Sequence, residues 1–133
     1  MIIKDITIRN FRSYYGENII TFSEGLTLLI GDNGDGKTTF FEALQWLFNT
    51  TTEDMGLTNF SEMRRSQMEI GEEEKISVSM TFEHNGEKSV EKSFIVKRTS
   101  DRFTTTNFIF KGYETTSAGR VQVSGKLLLD RCF

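Results

Sequence analysis

An α/β core built around a glycine-rich loop, followed by an added antiparallel β lobe, is the predicted fold class, and three observations predict it. Residues 26–30, LTLLI, are apolar without alternation, the pattern of a short strand covered on both faces. A glycine-rich segment follows and opens residues 37–48, KTTFFEALQWLF, which contain no Gly, Pro or Asn and read as a helix. From 75 to 98, apolar and polar residues alternate on both sides of a turn spelled HNGE.

Taken in order, IIKDITIRNF sets Ile6 and Ile8 against Asp5, Thr7 and Arg9, an edge or half-buried strand. SYYGEN reads as a turn around Gly16, and NIITFS as a second strand ended by Glu24-Gly25. In the helix, Phe40, Ala43, Leu44 and Leu47 follow helical spacing, while Phe41, Trp46 and Phe48 widen the apolar arc beyond one stripe. Such a helix needs cover on more than one side. Residues 49–59 read as loop, and a short helix is expected within 58–69.

The β lobe is the clearest signal. Ile76, Val78, Met80 and Phe82 alternate with polar residues, and Val90, Phe94 and Val96 do so again. A two-residue loop at Asn85-Gly86 sets Val90 opposite Thr81, and the apolar faces then mismatch. A three-residue loop, His84-Asn85-Gly86, pairs Val90 with Met80 and Phe94 with Ile76, and puts Gly86 where a bulged turn needs a left-handed residue. That register is preferred. Residues 107–111, NFIFK, make another strand, a turn region runs to about Gly119, and RVQVSG is a further short strand.

Bulk properties bound the function. The 133 residues suit one domain that buries roughly two thirds of its unfolded surface. Hydrophobic residues make up 37% and charged residues 26%, as in ordinary globular proteins. No apolar run approaches the ~18 residues of a membrane span, and the N-terminus lacks a secretory pattern. A single cysteine, Cys132, cannot form an internal disulfide and suits the cytoplasm. A net charge of −3 argues against a wholly basic nucleic-acid wrapper. Proline is absent, so the turns rest on Gly, Asn and Asp. The close SGKLLLDRCF is apolar without a breaker, which predicts a chain cut from something longer.

Chemistry concentrates in GDNGDGKTT, residues 31–39, which satisfies G-x-x-x-x-G-K-[ST] after a buried strand and at the start of a helix. Glycines let backbone N–H groups converge on phosphate oxygens. The helix start adds unpaired donors and positive potential. Lys37 brings a mobile charge to the β- and γ-phosphates, and the Thr38 hydroxyl can ligate Mg²⁺. Asp32 and Asp35 occupy the freely variable positions; a carboxylate aimed inward repels triphosphate, so both are expected to point away.

The spelling G-x-N-G-x-G-K-T-T, together with IRNFRSY at residues 8–14, resembles the ATP-binding heads of ABC-type chromosome and repair ATPases. These include the SMC proteins, RecF, RecN, the ATPase of the double-strand-break nuclease complex and the DndD-type ATPases. The resemblance is specific over residues 1 to about 50, the strands, phosphate loop and first helix. Over the lobe of 75–123 it is one of layout alone. It implies a P-loop NTPase core, the N-terminal part of an ABC-type head, binding ATP and Mg²⁺ through Asn33, Gly34, Asp35, Gly36, Lys37, Thr38 and Thr39. It also sets NFRSY against the nucleotide, nominating Arg12, suited to bidentate phosphate contact, and Ser13. Implied partners are the C-terminal half of the same head, a second copy in an ATP-dependent dimer, DNA and a nuclease.

Hydrolysis in such heads also needs a Q-loop glutamine, a Ser-Gly-Gly signature, a Walker B Asp-Glu and a switch histidine. Val123-Ser124-Gly125-Lys126 lacks the second glycine and reads as a turn, and Gln122 is a weak Q-loop candidate. The 133 residues alone are therefore expected to hold nucleotide without turning it over. A kinase or GTPase fits less well, because two strands precede the loop and no Asn-Lys-x-Asp exists. A nucleotide-binding switch or a DNA-binding module without hydrolysis is the alternative. Among lesser candidates, His84 lies at a hairpin tip, Cys132 reads as inert or exposed, and Glu72-Glu73-Glu74 as a solvated turn. Tyr14 and Tyr15 read as packing groups. Arg64, Arg65, Lys97, Arg98, Arg102, Lys111 and Arg120 are candidates for DNA phosphates, with scattered surface charge the plainer reading.

Overall fold

A computed structural model describes residues 2–12, 14–21, 42–48 and 60–132. Strands β1 (Ile2–Phe11) and β2 (Tyr14–Thr21) come first, and residues 42–48 form helix α1. Helix α2 (Glu62–Gln67) precedes β3 (Glu73–Glu83), β4 (Glu87–Thr99), β5 (Arg102–Thr105), β6 (Ile109–Thr116) and β7 (Gly119–Ser124), and helix α3 (Gly125–Cys132) follows. The sheet runs β2-β1-β3-β4-β6-β7, with β5 also paired to β4, and every described pairing is antiparallel. The buried strand expected at 26–30 lies outside the described residues.

The β3–β4 hairpin has the predicted register, with Met80 opposite Val90 and Ile76 opposite Phe94. Its three-residue loop has Asn85 and Gly86 at φ +55 and +104, as the bulged turn requires. Glu83 and Glu87 face each other across the strand ends, a like-charge pair that costs stability alone. Lys4 reaches both carboxylates at 3.7 Å and offsets it.

Alternation places Ile6, Ile8, Ile76, Val78, Met80, Phe82, Val90, Phe94 and Val96 in one buried cluster, which Ala43, Trp46 and Leu47 of α1 and Leu128, Leu129 and Cys132 of α3 complete. Trp46 meets Phe94 edge-on at 5.9 Å. Each such side chain contributes about 1.5–3 kcal/mol of burial.

Several expectations need correction. β1 is flanked by β2 and β3, so of the two readings, edge or half-buried, the half-buried one holds. The first hairpin does not turn at Gly16: Phe11 pairs with Tyr14, and Gly16 lies inside β2 at φ +70. There, Tyr15 and Gly16 together oppose Asn10 in a β-bulge. β6 extends to Thr116, through the expected turn region, because it pairs with β4 and β7. Val123-Ser124-Gly125-Lys126 is the junction of β7 and α3, and glycine is there for close approach. A Cβ on Gly125 would lie 2.4 Å from Phe110 Cδ1 and 3.0 Å from the Lys111 carbonyl oxygen. In the apolar close, Leu128, Leu129 and Cys132 are buried while Leu127 stays exposed. Cys132 is therefore not exposed.

Candidate functional site

Of the nominated nucleotide ligands, Arg12 is described. Ser13, Asn33, Gly34, Asp35, Gly36, Lys37, Thr38 and Thr39 lie outside the described residues, as do Asp32, Phe40 and Phe41. What the structure describes is the region where the end of β1 meets α1, whose first described residue stands four positions after Thr38.

Two features build that region. Asn10 is almost fully buried and takes a left-handed φ of +52. Its Oδ1 accepts the Gly16 N–H at 2.8 Å and its Nδ2 donates to the Lys75 carbonyl at 3.4 Å, so one side chain ties the bulge to β3. Phe11 is buried against Trp46 at 5.6 Å and bridges to Phe60, while the Ser61 N–H donates to the Asn10 carbonyl. The end of β1 is thus gripped from both sides.

Arg12, also left-handed at φ +52, projects from this fixed point. Its guanidinium lies 5.5 Å from the Phe11 ring centroid and pairs with Glu42 on α1. With 40% of its side chain exposed, it joins a solvated face to the helix that follows the glycine-rich loop. The sequence nominated Arg12 and missed Glu42. The available signal was that Glu42 is the one acid among the apolar residues of KTTFFEALQWLF. Tyr14 is half-buried against the core, and burial pushes its phenol pKa up. Tyr15 donates to Gln67 Oε1 at 2.6 Å. Tyr14 is thus a packing group, as expected, whereas Tyr15 is exposed and held by its hydrogen bond.

The remaining candidates separate. Glu72 and Glu74 are not a solvated turn: Arg64 of α2 donates to Glu72 at 2.9 Å and Glu74 at 2.7 Å. These bonds raise the Arg64 pKa, and the Arg64 bond, aided by the Glu69 backbone N–H, holds the Glu72 carboxyl below the usual range. Arg64 is therefore occupied. Arg65 and Arg98 come together over the Phe103 ring at 5.4 and 5.9 Å, lining an open cavity of about 480 Å³ with Glu62 and Ser66. Arg98 also donates to the Met68 carbonyl. Lys97 and Arg102 lie on the same β4–β5 ladder, whereas Lys111 and Arg120 stand on β6 and β7. Gln122 pairs with Tyr113 inside the sheet, and His84 occupies the hairpin loop. Among the described residues, no helix is long and apolar enough to cross a membrane.

A further buried cation escaped the sequence reading. Lys92 lies on the inward face of β4 between Val90 and Phe94, and it is fully buried. The strict alternation of 90, 92, 94 and 96 was the signal that placed it there.

The chain matches the AAA domain family over residues 5–127. It is 39% identical over 87 residues to the DNA replication and repair protein RecF of Streptococcus uberis, covering 62% of this chain and 23% of that one. It is 30% identical over 128 residues to the DNA double-strand break repair Rad50 ATPase of Methanococcus maripaludis, covering 96% of this chain and 10% of that one. The chromosome partition protein Smc of Mycobacterium leprae is 32% identical over 69 residues, 52% of this chain and 5% of that one. The chain thus spans less than a quarter of the length of each of these relatives. It belongs to the AAA domain family, as an ATPase-head sequence of the SMC/RecF/Rad50 type.

Proposed function

We propose that this chain binds ATP-Mg²⁺ through residues 31–39 and forms the nucleotide-holding part of an SMC-like head that couples ATP to DNA transactions. The observation that carries this reading is a complete G-x-x-x-x-G-K-T motif in a chain of this family, with Arg12 paired to Glu42 on the helix that follows the motif in sequence. The donor set fits the ligand: an amine, two hydroxyls and several glycine-flanked N–H groups suit a triphosphate and its cation. Lys37 neutralises phosphate charge, Thr38 offers its hydroxyl to Mg²⁺, and the exposed side of Arg12 takes up a further phosphate oxygen. Bound ATP supplies the phosphoanhydride bond whose cleavage such a head uses. Catalysis also requires the C-terminal half of the head and a second copy, so the 133-residue chain binds without appreciable turnover.

DNA is the proposed polymer partner, and supporting this is the pair Arg65 and Arg98 over the Phe103 ring, where cations meet an aromatic face. A nuclease partner follows from the Rad50 likeness alone.

The test is Mg²⁺-dependent ATP binding by the chain. Lys37→Ala is expected to weaken it by roughly 10- to 100-fold. Asp35→Ser should leave affinity within a few-fold, and a large gain in affinity would show that its carboxylate points inward. Robust Lys37-dependent hydrolysis by the chain alone would contradict the divided-site reading.

A further inference from the structure

We propose that Lys92 is a positioning residue: it secures the helix following the phosphate loop to the antiparallel lobe and so sets the loop's affinity for nucleotide. The inference rests on the nucleotide reading of residues 31–39. Lys92 is 0% exposed, and its Nζ donates to the Trp46 carbonyl at 2.9 Å. The ammonium also lies 4.7 Å from the Trp46 ring centroid, 4.6 Å from that of Phe108 and 6.0 Å from that of Phe110. One cation on β4 therefore joins α1 to the segment entering β6.

Burying an ammonium is costly, and a methionine fills a similar volume without that cost. What lysine adds is a donor for a helix carbonyl and a positive charge directed at several aromatic faces. Trp46 lies in the last described turn of α1. The opposite end of the same helix is tied to the β1–β2 turn by Glu42 and Arg12. α1 is thus held at both ends of its described span, by Arg12 from the first hairpin and by Lys92 from the second. Residues 31–39 shortly precede α1 in the chain, and on this proposal the placement of α1 governs theirs. A misplacement of even 1 Å in a phosphate cradle lowers affinity sharply, because its N–H groups are directional.

Three forms of the 133-residue chain test this: wild type, Lys92→Met, and Val90→Ala as a control. Val90 lies two residues along β4, buried opposite Gly112 on the α3 side. Amide hydrogen exchange over residues 42–48 is read first, without nucleotide. Lys92→Met should speed exchange there more than Val90→Ala does at matched global stability. Equal exchange in the two variants overturns the proposal. Mg-ATP titration is read second, and Lys92→Met should weaken binding by about ten-fold while Val90→Ala stays within two-fold. Parallel losses in both variants also overturn it, reducing Lys92 to a core residue. Absence of ATP binding in the wild type overturns the nucleotide reading instead, and with it the positioning role, whatever the exchange data show.

Discussion

The two hairpins that frame the centre of the sheet are built by different means. β3 and β4 pair without a shift from Glu73 and Lys97 to Glu83 and Glu87, and their inward residues supply much of the core. β1 and β2 change register between Arg9 and Phe11, and no residue of β2 is fully buried. The second hairpin is fixed by hydrophobic alternation repeated over its length. The first is fixed at one point, by the Asn10 amide, two left-handed residues and a bulge. The irregular hairpin is the one that presents Arg12 to α1. The regular hairpin supports, and the distorted one aims a side chain.

The largest effect should come from the regular hairpin. Phe94→Ala removes a buried ring that touches Trp46 and should cost about 3–5 kcal/mol, read as a lower denaturant midpoint at unchanged slope. A cost below 1 kcal/mol would mean that the β3–β4 face is not the centre of the core. Asn10→Ala leaves the Gly16 N–H and Lys75 carbonyl without their amide partner and should cost about 1–3 kcal/mol. Gly16→Ala places a side chain at φ +70 with open space around it, so strain of about 1 kcal/mol is the whole expected effect. If it costs as much as Phe94→Ala, the space around Gly16 is not open.

The smallest effect is electrostatic and depends on pH. The folded-state pKa of Glu72 is lowered, so its contribution is fully present above the ordinary carboxylate range and is lost as pH falls through the depressed value. Arg64→Met should therefore lower the melting temperature slightly from pH 7 upward and flatten its decline in acid, where the two proteins converge. An acid limb identical to that of wild type would show that the Arg64 pair adds nothing.

The same contrast explains what the sequence made legible. Met80, Val90, Ile76 and Phe94 could be paired because a period of two and the three-residue loop His84-Asn85-Gly86 agree on one register. Gly16 misled because a glycine among polar residues resembles a turn, whereas the turn depends on Asn10 and Arg12 adopting left-handed backbone, which residue type alone does not announce. β5 escaped notice because RFTT does not alternate and is defined by pairing with β4. α3 was missed because KLLLDRC is too short for its helical period to stand out, and the Gly125–Phe110 contact that shapes its start is tertiary. At the site, the phosphate-loop motif and Arg12 were readable as residue types. Glu42 and Lys92 acquire their roles through partners 30 and 46 positions away, Arg12 and Trp46.

The central claim is that residues 31–39 hold ATP-Mg²⁺ and that the framework described here supports them. The most direct measurement is equilibrium binding of a fluorescent ATP analogue to the 133-residue chain, with and without Mg²⁺, for wild type and Lys37→Ala. Saturable, Mg²⁺-dependent binding that Lys37→Ala weakens by at least about ten-fold is the predicted result. Binding of equal strength in both proteins, or none in a folded wild type, would contradict it.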